Sequence, residues 1–169
     1  LAIGAISLLS PLGNEAPVLF WGEFQLQHML ASYQDGIDLG AGALIGSLCA
    51  VAVCKILSIG FTLHSGFRGG FIFPLFFVGA ALGLALHALS GGAIALPVAV
   101  LGMMAAVNVA VTKTPISTAV LLTTLSGTSM MPVVLASSLT SFLVSSRVKV
   151  IGTQRARLTT MRLEGDEEA

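Results

Sequence analysis

The sequence has 169 residues, of which 55% are hydrophobic and 9% charged, with no net formal charge and a mean hydropathy of +0.95. An ordinary soluble domain carries about a quarter charged residues, so a water-soluble surface cannot be built from this composition. No Asp, Glu, Lys or Arg falls between Gly69 and Thr112 or between Thr114 and Ser146, and such runs approach or exceed the roughly 20 residues that cross a hydrocarbon layer. The expected fold is an all-α integral membrane protein.

Taken in chain order, Leu1 to Ser10 reads as the tail of a membrane helix closed by Pro11, Gly13 and Asn14. A chain opening mid-helix without Met is expected to be a fragment. Between Glu23 and Tyr33 the apolar residues Leu26, Met29, Leu30 and Tyr33 recur at i, i+3, i+4 and i+7, the signature of a short helix lying at the interface or packed on neighbours. Asp38 to Leu63 predicts a long helix of about 37 Å, enough to span with tilt. It carries Gly42 and Gly46, and the next helix, Phe71 to Leu89, carries Gly79 and Gly83 at the same spacing, which lets helices approach closely in lipid. Cys49 and Cys54 sit five apart, about 140° around the helix, so they cannot pair with each other and read as small buried hydrophobes.

Beyond Gly91 and Gly92 the apolar segments become shorter than a span: Leu96 to Val111, Pro115 to Leu125 and Met131 to Ser146. The breaks fall at Thr112 to Pro115 and at Ser126 to Thr128, with Pro132 just inside the last segment. Broken helices at membrane depth belong where protein or a watery cavity covers the exposed backbone, as in channels and transporters whose half-helix ends face an ion.

After the last apolar run come Arg147, Lys149, Arg155, Arg157 and Arg162, then the acidic Glu164, Asp166, Glu167 and Glu168. A basic cluster beside a membrane segment is a cytoplasmic topology signal, a simpler reading than a nucleic-acid patch. Residues 1–152 are expected to form the membrane domain and 153–169 a cytoplasmic polar tail. His28, His64 and His87 have no metal-ligand spacing, so no metal or other cofactor is expected. Without a Ser/His/Asp set or an H-E-x-x-H motif, an enzyme is not expected either.

The stretch Ser65-Gly66-Phe67-Arg68-Gly69-Gly70-Phe71-Ile72-Phe73-Pro74 precedes an uncharged helix, and its physics favours an anion. Gly66, Gly69 and Gly70 permit a tight turn and close approach to the backbone. Pro74 falls in the first helical turn, leaving the amides of Phe71, Ile72 and Phe73, backed by the helix dipole, as donors without full charge. Weak neutral ligation suits conduction, since an ion on a charged partner leaves slowly. An ordinary Gly-rich cap on a membrane helix is the alternative. Lys55, in mid-helix, marks either a water-filled vestibule or a side chain reaching the interface. Arg68 either concentrates anions at a pore mouth or pairs with a carboxylate elsewhere in the protein.

These residues resemble the CLC family of chloride channels and chloride/proton antiporters, whose second half carries G-G-x-F-x-P at the start of a helix pointing at the central anion. Gly69-Gly70-Phe71-Ile72-Phe73-Pro74 keeps both glycines and the proline, with Ile72 where the family usually has Phe. The likeness continues through Leu75 to Gly83. It returns at Gly102 to Ser117, where a small-residue helix breaks at the basic Lys113 before Thr114-Pro115. Lys55 falls where the family tends to have a basic residue.

The resemblance implies the second half of a CLC-type inverted-repeat fold with tilted and broken helices. It also implies chloride as the transported ligand, a bacterial inner membrane, and a homodimer joined largely through Pro115 to Leu125 and Met131 to Ser146. A family tyrosine near the central ion aligns with Ile151, which makes fluoride or nitrate an alternative passenger. The family's gating glutamate belongs to the first half, so channel and antiporter both remain open. The alternative of another class is a membrane scaffold subunit that does not conduct.

Overall fold

A computed structural model describes residues 27, 29–31, 33, 41–66 and 70–146. The expected helix tail at Leu1 to Ser10, the site positions Arg68, Gly69 and Ile151, the basic cluster and the tail at 153–169 lie outside these residues. Among the described residues every regular element is helical, with no strand. In order they are α1 (Ala41–His64), α2 (Ile72–Leu89), α3 (Leu96–Thr112), α4 (Pro115–Ser126), a 3₁₀ turn (Thr128–Met130) and α5 (Met131–Ser145). Ahead of them Gln27, Met29, Leu30, Ala31 and Tyr33 are helical. Met29 and Tyr33 are buried while Gln27 is exposed, as the spacing of the apolar residues requires.

The breaks sit where proline and small polar residues place them. Pro97, Pro115 and Pro132 each occupy the first turn of a helix, where a missing amide costs nothing. α2 and α3 form a hairpin through Gly91 (φ 60°) and Gly92 (φ 83°), and the His87 ring bonds the Ile94 carbonyl across it through Nδ1 at 2.7 Å. One expectation fails here. The last segment is not too short to span, because the 3₁₀ turn runs directly into α5 and gives an unbroken 18-residue apolar stretch, Thr128–Ser145. With Gly42–His64 and Ile72–Leu89, three stretches among the described residues are long and apolar enough to cross a membrane.

α2 is the centre of the assembly. Apolar residues surround it, and from Leu75 to Ala85 nearly every side chain is buried, the pattern of a helix enclosed by others. α1 packs on one side and α3 on the other, while α5 packs on α3 and α4. The α2–α3 contact is closest at two glycines. A Cβ on Gly79 would stand 2.5 Å from the Met104 Cα, and one on Gly83 would stand 2.6 Å from the Val100 Cα. The two equally spaced glycines of α1 do nothing comparable, since a Cβ on Gly42 or Gly46 would meet nothing within 4 Å. Identical spacing thus has different meaning according to whether a neighbouring backbone lies opposite.

α1 turns an apolar face outward, with Val53, Ile56, Leu57, Phe61 and Leu63 about half exposed. Cys49 shares this exposure and Cys54 is half-buried, which corrects the reading of both as buried hydrophobes. Among the described residues α1 packs mainly on α2, and this outward face is left exposed.

Backbone atoms cannot yield as side-chain ends do, so Gly79→Ala and Gly83→Ala are each expected to destabilise the protein by about 1–3 kcal/mol, in the range of overpacked cores. Gly46→Ala is expected to change stability little. Thermal melting of the detergent-solubilised protein checks the contrast.

Candidate anion site and its supporting polar contacts

The start of α2 is built so that its amides face away from the chain's own helix. The first helical bond runs from the Leu75 amide to the Phe71 carbonyl at 3.1 Å, so the amides ahead of Leu75 precede the intrahelical ladder. Pro74 removes one of them. Phe71 is the N-cap residue, at φ −95° and ψ −7°, and no side chain caps the helix there. Among the described residues no backbone oxygen outside the helix accepts from the Phe71 or Ile72 nitrogen.

Burial changes abruptly along this segment. Gly70 is exposed, Ile72 is 38% and Phe73 42% exposed, and from Leu75 onward the helix is enclosed. The helix start therefore lies at a surface of this chain while its body lies in the core. Phe73 packs its ring edge-on to Phe76 at 6.1 Å. Of the six residues expected to form the anion turn, Gly70, Phe71, Ile72, Phe73 and Pro74 stand together at this helix end. Gly69 lies outside the described residues, as do Arg68 and Ile151. The arrangement offers positive dipole and donor hydrogens without a formal charge.

Lys55 is brought to α2. Its side chain is 1% exposed, and Nζ lies 5.0 Å from the centre of the Phe77 ring, over its face, where the ring's negative face attracts a cation. Its head is therefore enclosed by protein beside α2.

Sequence reasoning passed over a second group of polar contacts. Asn108 of α3 and Thr118 of α4 are both 2% exposed, and Asn108 Nδ2 donates to Thr118 Oγ1 at 2.9 Å. The bond joins the two helices across the break at Lys113 to Pro115. Asn108 Oδ1 and Ser138 Oγ are buried without a partner among the described residues. On α5, Ser137 donates to the Gly102 carbonyl at 2.6 Å and Ser141 to the Ala106 carbonyl at 2.7 Å. The available signal was one Asn inside an apolar helix and serines four residues apart, and both are commonplace until the partner helix is known.

The fold and the helix start together define the class: an all-α integral membrane protein with an uncapped, uncharged helix N-terminus at an exposed edge. The family model for the voltage gated chloride channel matches residues 1–146, and the chain belongs to that family, whose members are channels and transporters rather than enzymes. Among curated proteins, the chain is 41% identical over 83 residues to "Putative ion-transport protein YfeO" of Salmonella newport (strain SL254) and to that of Salmonella agona (strain SL483). It is 40% identical over the same length to that of Salmonella schwarzengrund (strain CVM19633). The aligned part amounts to 49% of this chain and 18% of each relative. No solved structure matches the sequence.

Thr118→Val would strand the buried Asn108 amide. The expected loss is about 1 kcal/mol, in the range measured for hydrogen bonds between membrane helices. The double variant Asn108→Leu, Thr118→Val should lose less than the two single changes together, because neither partner is left behind. A thermal double-mutant cycle measures this.

Proposed function

We propose that this chain supplies the second half of a chloride pathway, working as a CLC channel or chloride/proton antiporter. In this reading the anion is held by the backbone amides of Phe71, Ile72 and Phe73, with Gly69, Gly70 and Pro74 shaping the turn. The observation that carries the reading is the start of α2: exposed, without a side-chain cap, and followed by an uncharged helix enclosed in the core. Such an end attracts an anion by its dipole and its leading amides, and it releases the ion readily because no opposite charge binds it. Membership of the family supports this, as does the ion-transport name of the Salmonella relatives.

Two extensions follow. The first is a homodimer through Pro115 to Leu125 and Met131 to Ser146. Both segments turn large apolar side chains outward, with Ile116 73%, Val120 62%, Leu143 72% and Val144 77% exposed. An open, mainly apolar groove of about 520 Å³ runs between them, lined by Ile116, Val120, Thr124, Met131 and Leu135 among others. The second is placement in a bacterial inner membrane with the C-terminus cytoplasmic, from the basic residues after Ser146. A different small anion, fluoride or nitrate, is favoured by one feature, Ile151 at the position of the family's tyrosine, which offers no hydroxyl.

Isotopic flux from proteoliposomes of the full-length protein tests the passenger. Unlabelled chloride is expected to compete with labelled chloride and with either rival anion, and failure to compete with either overturns the assignment. Replacing the Ile72 backbone amide by an ester removes one donor and leaves the side chain intact. The half-saturating chloride concentration should then rise about tenfold, the scale of one hydrogen bond to a charged partner. For the dimer, Val120→Glu is expected to shift the detergent-solubilised protein from dimer to monomer, read by light scattering behind a sizing column.

A further inference from the structure

Two of the serine contacts on α5 form a ladder. Ser137 bonds the Gly102 carbonyl and Ser141 bonds the Ala106 carbonyl, both across 35 residues. The rungs therefore advance by four residues on α3 and by four on α5, and the two helices run in the same direction. The next rung would join Ser145 to Ala110. That hydroxyl is buried and has no partner among the described residues. Each step of four turns a helix by about 40° beyond a full revolution, so the third serine has rotated away from the facing carbonyl.

At the level of the missing rung a different contact appears. Lys113 Nζ donates to the Ser145 backbone carbonyl at 2.5 Å. Lys113 is the residue that ends α3: it is left-handed, at φ 59° and ψ 28°, and its own amide closes on the Val109 carbonyl. It is also the one non-glycine residue with positive φ among those described. A single side chain with an unfavourable backbone conformation thus terminates one helix and reaches the C-terminal end of another.

We infer that Lys113 is a positioning residue that clasps the end of α5 to the α3–α4 break, taking the place of the serine rung that geometry does not allow. The chemistry suits that place. The last carbonyls of a helix lack intrahelical donors and carry the negative end of its dipole. An ammonium on a four-carbon stem supplies both the donor and the complementary charge. The strained conformation of Lys113 is over-determined by these contacts at its two ends. The clasp fixes the end of α5, six residues before Ile151 in the sequence. It follows from helix packing and stands whichever anion the protein moves.

Hydrogen exchange of the full-length protein in lipid nanodiscs, followed by mass spectrometry, tests this without reference to transport. In Lys113→Met, which keeps the length and removes the donor, amides of the last α5 turn should exchange about tenfold faster, the scale of one charge-assisted hydrogen bond. Those of α1 and α2 should be unchanged. Lys113→Arg, still a cationic donor, should restore slow exchange. Ser145→Ala, which removes only the unpartnered hydroxyl, should leave the α5 end as slow as in the unaltered protein. The inference is overturned if Lys113→Met leaves the α5 end unaffected, speeds every helix alike or fails to fold while Ser145→Ala loosens the α5 end, or if Lys113→Arg is as fast as Lys113→Met.

Discussion

Backbone polar groups in hydrocarbon must find partners within the protein, and this one constraint organises the molecule. Unbroken helices meet it internally. A chain interrupted at Thr112 to Pro115 and again at Ser126 to Thr128 has to meet it at every new helix end. Proline removes a donor at the start of α3, α4 and α5. Lys113 supplies donors at the ends of α3 and α5. The start of α2, like those of α3, α4 and α5, has no side-chain cap, but its proline, Pro74, comes third in the helix, so two helical amides precede it, and that is where the proposed function lies.

This helix start is held in place by packing rather than by charge. α2 is enclosed between α1 and α3, and Gly79 and Gly83 let its backbone lie against Val100 and Met104. In lipid, with little hydrophobic force between helices, such close contact and interhelical hydrogen bonds are what draw helices together. α3 takes part in both: glycine contact with α2 on one side, serine bonds from α5 on another, and Asn108 bonding Thr118 of α4. It acts as a strut that relates the α2 start to the outward apolar faces of α4 and α5.

Buried polar groups inside this scaffold are not alike. Lys55 is enclosed and rests on the Phe77 ring, so its charge sits beside the helix whose start forms the candidate site. Asn108 and Ser138 retain buried oxygens without a partner among the described residues, a cost that apolar residues of similar size would avoid.

Much of this was legible along the chain. Charge-free runs gave the membrane class, proline and small polar clusters gave the helix ends to within a residue or two, and Gly69 to Pro74 gave the candidate site and the family likeness. These are properties of neighbours in sequence, governed by dihedral limits, missing donors and hydropathy. What the sequence could not distinguish was the partner across space. Gly42 and Gly46 look identical in pattern to Gly79 and Gly83, yet only the second pair faces a backbone. Cys49 reads as a core residue until α1 proves to leave its outward face exposed. Thr128 to Met130 looks like a break, but its 3₁₀ turn continues α5 into a full span. Ser137 and Ser141 are unremarkable letters until the register of α5 on α3 is set, and Lys113 marks a break without showing that it reaches α5. Local chemistry writes the helices and the candidate site; only packing in three dimensions decides which small, polar or charged residue meets a partner, because that depends on the distance between helices far apart in the chain.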